Sequence, residues 1–200
     1  MGLGYLELWQ NALTKPVETL KTEKKNTDLM EGIKQVAIAF AIPGLLAGLV
    51  LVFIGSMLAF IPGAGFLAGL GIIAIIAAPI FSAVFGVIAM AIGQAVLYVV
   101  STAMGGKGSY EQQFYLSAIW SAPLMLLSMI LGVVPFLGAL LSLLLSLYGL
   151  YLLWLTLKAV HGFDDTKAII VIVVLVVAAF IVGMIFGGLA MLGLATRMGR

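Results

Sequence analysis

Residues 72–104 read IIAIIAAPIFSAVFGVIAMAIGQAVLYVVSTAM, a run without a single charged side chain. The gap extends in both directions, since no Asp, Glu, Lys or Arg occurs between Lys34 and Lys107. Two further gaps lie between Glu111 and Lys158 and between Lys167 and Arg197. About 18 uncharged apolar residues suffice for a helix that crosses a bilayer, so each of the first two gaps holds more than one crossing. The composition agrees. Of 200 residues, 64% are hydrophobic and 9% charged, whereas a soluble domain carries about 25% charged residues and needs them to solvate its surface.

Working outward from that run, helix signals divide the chain. Asp28 followed by Glu31 fits an N-cap with a carboxylate in the first turn, and the first crossing is expected from Leu29 to Phe60, kinked at Pro43. The turn falls at Ile61-Pro62-Gly63-Ala64-Gly65. The second crossing is expected from Ile72 to Met104 with a kink near Pro79, leaving residues 66–71 as a glycine-rich outer loop or re-entrant turn. Gly105-Gly106-Lys107-Gly108 ends it. Ser109 with Gln112 makes a capping box for a third helix from Tyr110 to Leu131. A fourth runs from Phe136 to Val160, with Gly162 at the left-handed C-cap position. Asp165 or Thr166 caps a fifth, which runs to Leu194.

The expected fold is therefore all-α: a polytopic membrane bundle of five transmembrane helices over residues 28–196. Residues 1–27 precede it as a short amphipathic segment. There Leu6, Trp9, Leu13, Val17 and Leu20 recur at helical spacing, and Pro16 divides the segment into two short helices. Two placements are open for it, in the headgroup layer with Trp9 and Leu13 as anchors or against the bundle. The first strongly apolar stretch is too long for a signal peptide, and the basic-apolar-small pattern of one is missing. Five crossings put Lys15, Lys21, Lys24, Lys25, Lys34, Lys107, Lys158 and Lys167 on one side and Arg197 and Arg200 on the other. By the positive-inside rule the N-terminus is then cytoplasmic and the C-terminus outside. A sixth crossing over residues 66–78 would place Lys107 and the Lys158–Lys167 loop opposite the basic N-terminus, a poorer fit.

Chemistry-bearing residues are few. The chain has no cysteine and one histidine, which excludes thiolate chemistry and disulfides. No acid or base lies at mid-membrane depth, which argues against an ion-coupled pump and against a nucleophile–base–acid set. The run Gly105-Gly106-Lys107-Gly108-Ser109 fails the phosphate-loop pattern, because Ser101 stands where glycine is required and Gly108 where Ser or Thr is required. Gln94 is the most polar residue inside a crossing and is expected to hydrogen-bond across to another helix, for example to a serine. The remaining candidates form a docking face at the cytoplasmic side. Lys107 is its positive point, held by Glu111 one turn along, with His161, Asp164 and Asp165 in the loop after the fourth helix. A histidine and two carboxylates can hold a metal, but a polar helix start explains the two acids equally well. No cofactor is implied. A net charge of +2 makes no case for nucleic acid.

Several runs together resemble the Yip1-domain family. They are Trp9-Gln10-Asn11-Ala12-Leu13-Thr14-Lys15-Pro16, then Gly105-Gly106-Lys107-Gly108-Ser109, then Ser121-Ala122-Pro123-Leu124, then Leu157-Lys158-Ala159-Val160-His161-Gly162. The resemblance implies five crossings, a cytoplasmic N-terminus and a C-terminus on the far side. Eukaryotic members bind Rab-type small GTPases and act in vesicle formation or fusion, and they carry a long N-terminal region that is short here. The resemblance is to the prokaryotic members, which implies a cell-membrane protein. The implied role is a non-enzymatic scaffold that organises membrane through its cytoplasmic face, with lipids, a second copy of the chain and a cytoplasmic protein as partners. The alternative is a passive permease for a small solute, which a water-filled cavity reaching Gln94 would favour.

Overall fold

The computed structural model describes residues 4–58, 61, 65–132, 134 and 136–198, with backbone alone for residues 65–68, 186 and 188–198. Two short helices open it, α1 (Tyr5–Thr14) and α2 (Pro16–Glu23), followed by a 3₁₀ turn at Lys24–Asn26. Pro16 stands at the first position of α2, where its missing N–H costs nothing. Five long helices follow: α3 (Leu29–Met57), α4 (Gly65–Ala103), α5 (Tyr110–Gly132), α6 (Leu137–His161) and α7 (Asp165–Met198). All five are long and apolar enough to cross a membrane.

The caps show why the helices start and stop where they do. The Asp28 carboxylate accepts from the N–H groups of Met30 at 2.8 Å and Glu31 at 3.2 Å. The Ser109 hydroxyl accepts from Gln112 N–H at 3.2 Å. Gly162 ends α6 with φ +70° and gives its N–H to Lys158 O. At α7 the expectation needs correction, since Asp164 and not Asp165 or Thr166 is the capping residue, accepting from Lys167 N–H at 2.8 Å.

A larger correction concerns residues 66–71, which form neither a loop nor a re-entrant turn. Helix α4 runs unbroken from Gly65 for 39 residues. Glycines lower helix propensity in water, but in a bilayer an unwound backbone leaves polar groups without partners, so the helix persists through Gly65, Gly69 and Gly71. At 1.5 Å per residue α4 is roughly 58 Å long, nearly twice a hydrocarbon core of roughly 30 Å. The first crossing ends at Met57; its expected last residues 59–60 lie outside those described. The fourth begins at Leu137, after Phe136 takes up a positive φ of 61°.

Helices α3 and α4 form a tight hairpin. A Cβ on Gly44 would lie 2.7 Å from Ala78 O, and one on Gly48 would lie 2.8 Å from Ala74 O. Beside the carbonyl that Pro43 leaves without its helical donor, the Ser82 hydroxyl donates across to Phe40 O at 2.7 Å. The densest packing lies at the lysine-rich end of the bundle and centres on α5. Phe114, Leu116, Ala118 and Ile119 are all but inaccessible there. Toward the other end the large side chains of α3, α4 and α7, such as Phe53, Ile76 and Phe180, point outward, as a lipid-facing surface requires.

Candidate functional site at the lysine-rich end

Three helices converge on one buried polar network. The Gln113 side-chain amide donates to Gln94 O and to Gln94 Oε1, both at 2.8 Å, and the Ser117 hydroxyl reaches the same Oε1 at 3.3 Å. On the other side, Gln113 Oε1 lies 2.8 Å from His161 Nε2. These contacts assign the histidine tautomer. A backbone carbonyl can only accept, so the Gln113 nitrogen must face Gln94 and its oxygen must face His161. His161 Nε2 therefore carries the proton. Its Nδ1 is left as a bare lone pair with no partner, packed where a Cβ on Gly106 would come within 2.6 Å. His161 is thus the last residue of α6 and 3% exposed, not a loop residue on an open face.

The N-terminal helices strap this end together. Trp9, read from sequence as an interfacial anchor, is buried against Ala39 and Ala122. Its indole N–H donates to Gln35 Oε1 at 2.8 Å. Leu13 is half-buried, and its carbonyl accepts from the Tyr148 hydroxyl at 2.6 Å. The face turned inward is Leu8, Trp9, Ala12 and Leu20, while Leu6 and Val17 of the expected stripe are exposed. Tyr5 donates to the Glu31 carboxylate at 2.8 Å. That bond, with burial adding to it, pushes the phenol above its ordinary pKa. Tyr115 donates to Glu23 at 2.6 Å.

The strap also completes the end of α6. Its last carbonyls would otherwise lack donors. Gly162 N–H serves Lys158 O at 3.0 Å, the Lys24 ammonium serves Ala159 O at 2.6 Å and Val160 O at 3.4 Å, and Lys107 N–H serves His161 O at 3.4 Å. Between these groups lies an open hollow of about 680 Å³, lined among others by Lys24, Lys107, Gln112, His161, Asp164 and Lys167.

The sequence candidates therefore divide. Lys107, Glu111, Asp164 and Asp165 are exposed, but they do not act as one cluster. Glu111 does not hold Lys107. Its carboxylate lies 3.4 Å from Leu29 N–H, and the ion pairs among the described residues are Lys34–Glu31 and Lys158–Asp165. Lys158 also sits over the Trp154 ring, 4.3 Å from its centroid. Asp164 is spent on the start of α7 and His161 on Gln113, so the histidine and the two acids do not converge on a metal. Gln94 does bond across helices, to Gln113 first and Ser117 second. Gln113 was missed because it stands three residues into a helix and reads as a polar start. No local signal marked it: Gln94 lies about ten residues before the Met104–Ser109 turn and Gln113 only about four after it, so counting outward from the turn does not pair them.

No curated protein and no solved structure matches the chain. The Yip1 domain matches residues 12–187, from the strap through all five long helices. The match takes in the glycine turn at Lys107, the α6 terminus at His161 and the strap residues that meet there, and the chain belongs to the Yip1-domain family.

Proposed function

We propose that the chain is a non-enzymatic scaffold whose lysine-rich end faces the cytoplasm and docks a partner at the membrane surface. One observation carries this reading: Gln94, Gln113 and Ser117 inside the bundle are bonded to one another, whereas two ammonium groups at its end have no carboxylate partner among the described residues. Gln94, the group a solute path would use, is 9% exposed and already bonded to Gln113 and Ser117. That favours the scaffold over the permease. Lys107 and Lys167 are exposed and pair with no carboxylate among the described residues. A positive surface of this kind attracts acidic segments and anionic leaflets.

The test compares material retained from native membranes by the parent and by Lys107→Glu. Reduced recovery of co-purifying protein or lipid is expected for the variant, and identical inventories would remove the docking reading. Orientation is checked separately. Because the chain has no cysteine, single cysteines at positions 107 and 200 report sidedness cleanly. In intact cells an impermeant maleimide is expected to label position 200 and spare position 107, and the reverse pattern would invert the topology.

A further inference from the structure

Two cavities at the lysine-rich end adjoin each other and differ in character. The first is the hollow of about 680 Å³ described above, where Lys24, Lys107 and Lys167 face a single carboxylate, Asp164. Asp164 caps the α7 N-terminus and keeps its charge, so three positive groups face one negative one and the lining is net positive. The second, about 570 Å³, runs between α2 and α6 and is walled by Val17, Leu20, Tyr151, Trp154 and Leu155. The two share Gly162 and Phe163 as a common wall. Trp154 lines the second cavity with its ring, while its indole N–H is buried within the protein.

We propose that the paired cavities bind one anionic phospholipid, with its phosphate in the lysine hollow and an acyl chain in the apolar cleft. This rests on the docking reading above and names the ligand of that face. Three ammonium groups suit a phosphate, which they meet as point charges. The adjoining cleft selects a lipid over the free ion, because a free phosphate has nothing to place beside Leu20 and Leu155. Lys24 belongs to the strap and also covers the end of α6, so the bound headgroup fastens the strap to the bundle.

The full chain, purified in detergent, is offered phosphatidylglycerol or phosphatidylcholine, and retained lipid is counted by native mass spectrometry. The parent is expected to retain phosphatidylglycerol preferentially. Lys107→Ala with Lys167→Ala is expected to lose roughly five-fold in retention per lysine, while Lys15→Ala with Lys25→Ala, outside the hollow, retains the parent's level. Val17→Trp, which fills the cleft from an exposed position, is expected to lower retention of the lipid as well. Equal retention by the parent and the Lys107/Lys167 variant would overturn the proposal. Binding of inorganic phosphate that survives Val17→Trp, with no lipid preference in the parent, would assign the hollow to the free ion and overturn the lipid source. Unchanged lipid retention in the Lys107/Lys167 variant, with loss of a protein partner from native membranes, would overturn this inference and leave the docking reading standing.

Discussion

Gln113→Leu is expected to lower the stability of the bundle by about 1–3 kcal/mol, the cost of leaving a buried donor without a partner. Hydrogen-bond strength itself is not the source of that loss. Bonds between membrane helices average only about 0.6 kcal/mol, because the helices find other partners when separated. What dominates is what the substitution strands. The buried His161 Nε2–H loses its acceptor, and the Gln94 side-chain oxygen keeps only the longer bond from Ser117. Gln94→Leu is the informative comparison. There the Gln113 amide keeps its bond to the Gln94 carbonyl and still accepts from His161, so a loss nearer 1 kcal/mol is expected. Adding His161→Phe to Gln113→Leu removes one stranded donor and should restore part of the loss. Unfolding in mixed micelles, followed by tryptophan fluorescence, measures all four proteins. If Gln113→Leu proved no worse than Gln94→Leu, the network would not be organised around Gln113.

That network marks the limit of what the sequence could disclose. Charge gaps are a strong signal because hydrocarbon penalises every charge, so five crossings and their lysine-rich side followed from composition and order alone. Capping residues act within a few positions, and Asp28, Ser109 and Gly162 were accordingly legible. The depth at which a polar residue near a helix end finally sits depends on how the helices are staggered, which is not a local property. His161 and Gln113 both stand near helix ends and both read as surface residues, yet the hairpin turns them toward each other inside. The strap erred in a related way. Spacing of three and four put Leu6 and Val17 on one apolar face with Trp9, turned to headgroups or to the bundle, but the three bonds from Tyr5, Trp9 and Tyr148 set its rotation so that Trp9 faces the bundle with Leu8 and Ala12 while Leu6 and Val17 stay exposed. The glycines of α4 misled for a different reason, since rules for helix breaking come from water and weaken in a bilayer.

Glycine is nonetheless decisive where backbones touch, and the second large effect is expected at Gly48. A Cβ there would lie 2.8 Å from Ala74 O, 2.8 Å from Ile75 Cα and 2.9 Å from Ala74 C. All three are backbone atoms of α4, so no side chain can swing aside and the helices themselves must part. Gly44 is in the same position against Ala78 O and Pro79 Cα, and Gly71 against Val52. These contacts lie along one seam of the α3–α4 hairpin, where close approach replaces the hydrophobic drive that lipid cannot provide. Overpacking a tight interior costs about 1–3 kcal/mol. Gly48→Val, with two further methyl groups to place, is expected at the upper end of that range, and Gly44→Ala with Gly48→Ala to exceed either single change. Gly93 supplies the control, because a Cβ there meets nothing within 4 Å. Gly93→Ala removes only the glycine penalty for a helix and should be neutral or stabilising by up to about 1 kcal/mol. Thermal denaturation in detergent should therefore rank Gly93→Ala above the parent or level with it, Gly48→Ala below, and Gly48→Val lowest. Equal midpoints for Gly48→Val and Gly93→Ala would mean that α3 and α4 do not meet along this seam.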